Sequence, residues 1–108
     1  MMANELKIAV ETGEVINELY LEVRAGLLEQ LTKQGKTDKF YIDLVDDYMA
    51  HWNVKELLKK DIEEKGLRYS VTNGNGISSI KPNESVQNLQ KETATMLKIL
   101  QELNLKEP

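Results

Sequence analysis

Asp43, Asp47 and His51 stand four residues apart, so on a helix all three project from one face, and carboxylates beside an imidazole are a donor set for a divalent cation. No second carboxylate–histidine pair is present to complete such a site. The plainer reading is a solvated acidic face on which Asp47 and His51 share a hydrogen bond. A hydrolase built on Asp43, Asp46 and Asp47 would lack an obvious nucleophile and an activating lysine. The chain has one histidine and no cysteine, which removes Ser-His-Asp and HExxH arrangements, disulfides, Cys-ligated zinc and thiol nucleophiles. Asn73-Gly74-Asn75-Gly76 fits neither GxxxxGK[ST] nor GxGxxG, so these glycines read as a turn rather than a phosphate cradle. No catalytic residue, cofactor or metal is expected, and a non-enzyme is the favoured class.

Lys55, Lys59, Lys60, Lys65 and Arg68 form the densest basic region, with Lys33, Lys36 and Lys39 as a second group. They are candidate contacts for DNA phosphates; alternatively Glu56, Asp61, Glu63 and Glu64 pair with them on a mixed solvated surface. The net charge is −4, and residues 4–32 hold all of the excess, with six Glu against Lys7 and Arg24. A general phosphate-binding surface carries a basic surplus, so any DNA contact must be local or multiplied over many copies of a small patch. Trp52 shares an apolar stripe with Val45 and Tyr48, which favours packing over base stacking. Tyr41, Val45, Tyr48 and Trp52 are therefore expected in the core or in a subunit interface.

The elements that must carry these residues follow from apolar spacing of three and four. A single domain over residues 1–108 is expected, mainly α: a long antiparallel helical hairpin and a C-terminal helix, with a small β-hairpin between the second and third helices. The first helix covers about 6–34, with Ile16, Tyr20, Val23, Leu27 and Leu31 on its stripe, Gly13 a weak point and Gly35 a left-handed stop. The second covers about 38–65 from a cap at Thr37 or Asp38 and buries Tyr41, Leu44, Val45, Tyr48, Trp52, Leu58 and Ile62. Gly66 is read as a left-handed end that lets Leu67 pack back on Ile62. The β-hairpin spans about 67–81, with Leu67, Tyr69 and Val71 alternating before the Asn-Gly turn. The third helix covers about 83–103 with Val86, Leu89, Met96, Leu97, Leu100 and Leu103 inward, and Asn104-Leu105 ends it with Leu105 reaching Leu100. A helix from Asp38 to Lys65 would be about 42 Å long, against a radius of gyration near 13 Å for a compact chain of about 100 residues. It must bend near Asn53 or finish its burial against other copies. No apolar run spans a membrane and no secretory leader is visible, so the expected location is the cytoplasm.

Asp43-Leu44-Val45-Asp46-Asp47-Tyr48, Trp52, Asp61-Ile62 before Gly66, the Asn/Gly-rich hairpin, Lys81-Pro82-Asn83-Glu84-Ser85, and Met96-Leu97-Lys98-Ile99-Leu100 leading to Leu103-Asn104-Leu105 together resemble the small subunits of tailed-phage terminases. The resemblance spans about residues 37–105. It implies a non-enzymatic DNA-packaging component, working in the host cell during phage assembly. Such a component forms a homo-oligomeric ring, binds double-stranded viral DNA at the packaging site, and regulates a large subunit that holds the ATPase and nuclease. A terminal segment contacts that large subunit in the family's general plan. Many members carry an N-terminal helix-turn-helix; residues 1–36 here are acidic and show none. The other reading of the residues is a helical oligomeric adaptor or transcription regulator unrelated to packaging.

Overall fold

A computed structural model describes residues 7–9 and 14–105. The order is β1 (Lys7–Ala9), β2 (Glu14–Ile16), α1 (Glu18–Lys33), α2 (Lys39–Lys65), β3 (Arg68–Thr72), β4 (Ser78–Pro82) and α3 (Glu84–Leu103). The mainly helical architecture, with an antiparallel hairpin between α2 and α3, agrees with the sequence reading. The first helix does not. It starts at Glu18, and the segment expected to be its N-terminal half pairs as an antiparallel ribbon, Lys7 opposite Ile16 and Ala9 opposite Glu14. Ile8, Val15 and Ile16 are β-branched and favour extended backbone. Asn17 then supplies the cap, its side chain accepting from the Tyr20 N–H at 2.8 Å. Leu6 and Gly13, the expected start and weak point, lie outside the described residues.

α1 ends as its glycine implies. Gly35 has φ 72°, Lys36 N–H donates to Leu31 O at 2.9 Å and Gly35 N–H to Thr32 O at 3.0 Å, the paired bonds of a Schellman ending. α2 runs unbroken for 27 residues, so the helix is not interrupted at Asn53, one of the two alternatives its length leaves open. Its length is accommodated because α3 returns antiparallel along it, from Ser85 beside Asp61, through Glu92 beside His51, to Leu103 beside Lys36. α1 covers only the first half of α2, with Arg24 beside Asp46 and Tyr20 beside Trp52, and β2 lies against both helices. The molecule is elongated, 62 × 35 × 23 Å with a radius of gyration of 17.8 Å.

Leu31, Val45, Met49, Trp52, Met96 and Leu103 are the buried core, and Tyr20, Val23, Leu27, Tyr41, Leu44, Tyr48, Ile99 and Leu100 pack around it half-buried. Fully burying a side chain such as Leu31 or Leu103 contributes about 1.5–3 kcal/mol. Three residues expected to face inward face water, among them Ile16, 38% exposed, which lies in β2 rather than on the stripe of α1. Leu97 is 60% exposed, because the buried stripe of α3 runs through Met96, Ile99, Leu100 and Leu103 and turns position 97 outward. Leu67 is 67% exposed, because Gly66 takes φ 77°, ψ −170° rather than the left-handed helical position and sends the chain away from Ile62. Asn104 does take the left-handed conformation, with its N–H on Leu100 O at 3.0 Å, and Leu105 packs on the core. Residues 106–108, the end of the expected exposed tail, lie outside the described residues.

Candidate nucleic-acid interface

The predicted basic residues separate into two groups, one at the start of α2 and one along its second half, with Lys39 and Lys59 about 30 Å apart at 1.5 Å per residue. At the α1–α2 turn, Lys33 and Lys39 are exposed. Lys36 is occupied. Its Nζ donates to Leu103 O at 2.8 Å and Asn104 O at 2.9 Å and lies 5.8 Å from the Tyr41 ring, so it satisfies the terminal carbonyls of α3. Sequence spacing had no means of showing this, since donor and acceptors are 67 and 68 positions apart.

At the other end, Lys59, Lys60, Lys65 and Arg68 are exposed around the exit of α2. Lys55 is half-buried, with Nζ 3.7 Å from Glu56 and 5.5 Å from the Trp52 ring, which makes it a packing residue more than a free cation. Lys65 pairs with Asp61 at 3.2 Å and lies over the Tyr69 ring at 5.6 Å. The hairpin register places Lys81 opposite Tyr69, so this lysine joins the group, although its distance in sequence hid it. Exposed Glu63 and Glu64 are interleaved, and the positive surplus of one chain is small.

The hairpin projects beyond the helices. Asn73 organises its tip: its Oδ1 accepts from Asn75 N–H at 2.9 Å and Ile77 N–H at 3.1 Å, while Gly76 adopts φ 78°. Every residue of β4 is exposed, Ile80 by 73%, whereas Tyr69 and Val71 on β3 are half-buried. Its root is tightly held. Buried Asn83 donates from Nδ2 to Gly66 O at 3.0 Å, accepts from Ser85 N–H at 3.0 Å and donates its own N–H to Leu67 O at 2.8 Å. Ser85 Oγ donates to Asp61 at 2.7 Å.

That bond from Ser85, then Lys65, holds the Asp61 carboxyl below the ordinary carboxylate range. A depressed pKa stabilises the fold above the unfolded value of about 3.9 and loses that stabilisation as pH falls through the lower folded value. Melting temperature measured from pH 7 to pH 3 should therefore fall most steeply below about pH 4. Asp61→Asn should lower it at neutral pH and flatten that acid limb; an unchanged limb would remove Asp61 as its source.

The candidate metal stripe is not assembled. His51 turns to α3, where its Nδ1 lies 2.8 Å from Glu92 Oε2, so its partner is not Asp47. Asp46 pairs with Arg24 at 3.2 Å, and Asp43 and Asp47 are exposed. Among the described residues no group of three His, Asp or Glu side chains is placed to hold a metal ion. Val45 and Trp52 are buried within the chain, while Tyr41 and Tyr48 are half-buried and burial pushes the Tyr48 hydroxyl pKa up. No helix among the described residues is long and apolar enough to cross a membrane.

These features define an elongated helical scaffold with a projecting hairpin arm and a basic end. Residues 22–107 match the family model described as phage terminase, small subunit, and the chain belongs to that family. No curated protein and no solved structure matches the chain.

Proposed function

We propose that this terminase small subunit is a non-catalytic DNA-packaging component that assembles into a ring, binds double-stranded viral DNA through the basic end of α2, and regulates the large ATPase–nuclease subunit. The family match over residues 22–107 carries the reading. The hairpin supports assembly: an isolated two-stranded ribbon is marginal in water, and this one offers two unpaired edges and exposed Ile77 and Ile80. The exposed Lys59, Lys60, Lys65, Arg68 and Lys81 support DNA contact, with repetition around a ring offsetting the small surplus per chain.

Duplex binding followed by fluorescence anisotropy should be weak, steeply reduced by salt and dependent on assembly. Reversing Lys59, Lys60 and Arg68 to Glu should cut affinity about tenfold or more for all sequences, since phosphate contacts position a protein without reading bases. Unchanged binding would move the surface to Lys33 and Lys39. An intact oligomer that binds no DNA at low salt, even with the large subunit present, would favour an adaptor role.

A further inference from the structure

The outward faces of α1 and α3 carry opposite charges at one spacing. On α1, Glu22, Ala25 and Glu29 are exposed three and then four residues apart, with Glu18 a turn earlier. On α3, Lys91, Ala94 and Lys98 are exposed at the same three-then-four spacing. Leu21, 57% exposed, borders the acidic stripe, and Leu97, 60% exposed, borders the basic one. None of these Glu and Lys residues has an ion-pair partner among the described residues.

The packing of the helices limits how such stripes can meet. α1 and α3 both run antiparallel to α2 and so parallel to each other. Asp46, which meets α1, and His51, which meets α3, point about 140° apart around α2 at 3.6 residues per turn. The two stripes thus look out from different flanks, and a contact between them is heterologous and propagates from copy to copy. Their heights also agree. Glu22 lies near the level of Met49, between the Tyr20–Trp52 and Arg24–Asp46 contacts, and Lys91 near that of Trp52, next to the Glu92–His51 pair. The offset is about 4.5 Å along the axis, within the reach of Lys and Glu side chains. Rotation about an axis parallel to the helices preserves both direction and height, and so brings a neighbour's Lys91 and Lys98 to Glu22 and Glu29.

We propose that the Glu18, Glu22 and Glu29 face of α1 docks on the Lys91 and Lys98 face of α3 in a second copy of this chain, with Ala25 opposite Ala94 and the exposed leucines closing the seam. The proposal rests on the reading that the protein self-assembles. Exposed ion pairs are individually weak, so the charges select partner and register, while the alanines permit close approach and repetition adds strength.

The test is light scattering after size exclusion over a range of concentration and salt. The parent should be oligomeric. Glu22→Lys with Glu29→Lys, and separately Lys91→Glu with Lys98→Glu, should each raise the concentration for half-assembly about tenfold or more, with helicity by circular dichroism unchanged. An equimolar mixture of the two reversed proteins should reassemble, because each then offers the charge the other lacks. Should a reversal cost helicity, the Gln versions of the same four residues give the readout through weaker assembly with a flattened salt response. An oligomeric parent whose variants assemble as it does, or reversed proteins that stay apart on mixing, overturns this interface and leaves self-assembly standing. A monomeric parent overturns both.

Discussion

Trp52→Ala is expected to lower the stability of the protein by about 3–5 kcal/mol, the cost of emptying a buried aromatic site. The indole is 3% exposed, lies edge-on to Tyr20 with ring centroids 5.6 Å apart, and supports the Lys55 side chain above it. It is also where α1, α2 and the core meet, so the cavity would open at the junction of several elements and collapse poorly. For a domain near this size each kcal/mol moves the melting temperature by about 4–8 °C, so the variant should melt far below the parent. Trp52→Phe should recover part of the loss by keeping an aromatic edge contact with Tyr20. A melting temperature within a degree or two of the parent would show that the ring is not a core anchor.

The second large effect is expected at Asn83. Asn83→Ala removes the side-chain cap of α3, worth about 1 kcal/mol, and leaves half-buried Gly66 O without its donor, which adds about 1–2 kcal/mol, the lower part of the cost for a buried acceptor. The loss should be about 2–3 kcal/mol in denaturant unfolding, and it should be local as well as global. Amides of the hairpin and of the first turns of α3 should exchange much faster with deuterium, while those around Val45 and Met49 slow or quicken only with overall stability. Asn83→Asp keeps the cap acceptor and loses the donor, so it should fall between parent and alanine. Uniform acceleration across the chain would show that the root does not behave as a separate unit.

How much of this was readable from sequence varies with the range of the interaction that decides each feature. Local signals carry the second and third helices and the hairpin: the apolar spacing of Tyr41 to Ile62 and of Val86 to Leu103, and the Asn-Gly run between alternating residues. The first helix starts later than its apolar spacing implies, because at Ile8, Val15 and Ile16 β-branching and the cap signal of Asn17 compete with that spacing. Periodicity shows which face of a helix is buried but not what buries it, so the return of α3 along nearly all of α2 was out of reach. The same limit applied to the basic residues. Sequence separates them into two groups and the fold keeps them apart along α2, but sequence has no signal that Lys36 is spent on carbonyls far along the chain. Lys81 was missed for the converse reason, since only strand pairing brings it beside Tyr69.

The ladder of contacts between α2 and α3 has a kinetic consequence. Along it, sequence separation grows steadily: 24 residues for Asp61 with Ser85, 41 for His51 with Glu92, and 67 for Lys36 with Leu103. The entropy lost on closing a loop rises with its length, so the shortest closure, at the hairpin root, is the least costly nucleus. Once the turn and root have formed, each later contact closes only a short additional loop, and the two helices zip from Gly66 toward Lys36. In this order the clasp of Lys36 on the end of α3 forms last and opens first. The hairpin, peripheral in the finished structure, is then the point from which the longest interface of the fold begins to form.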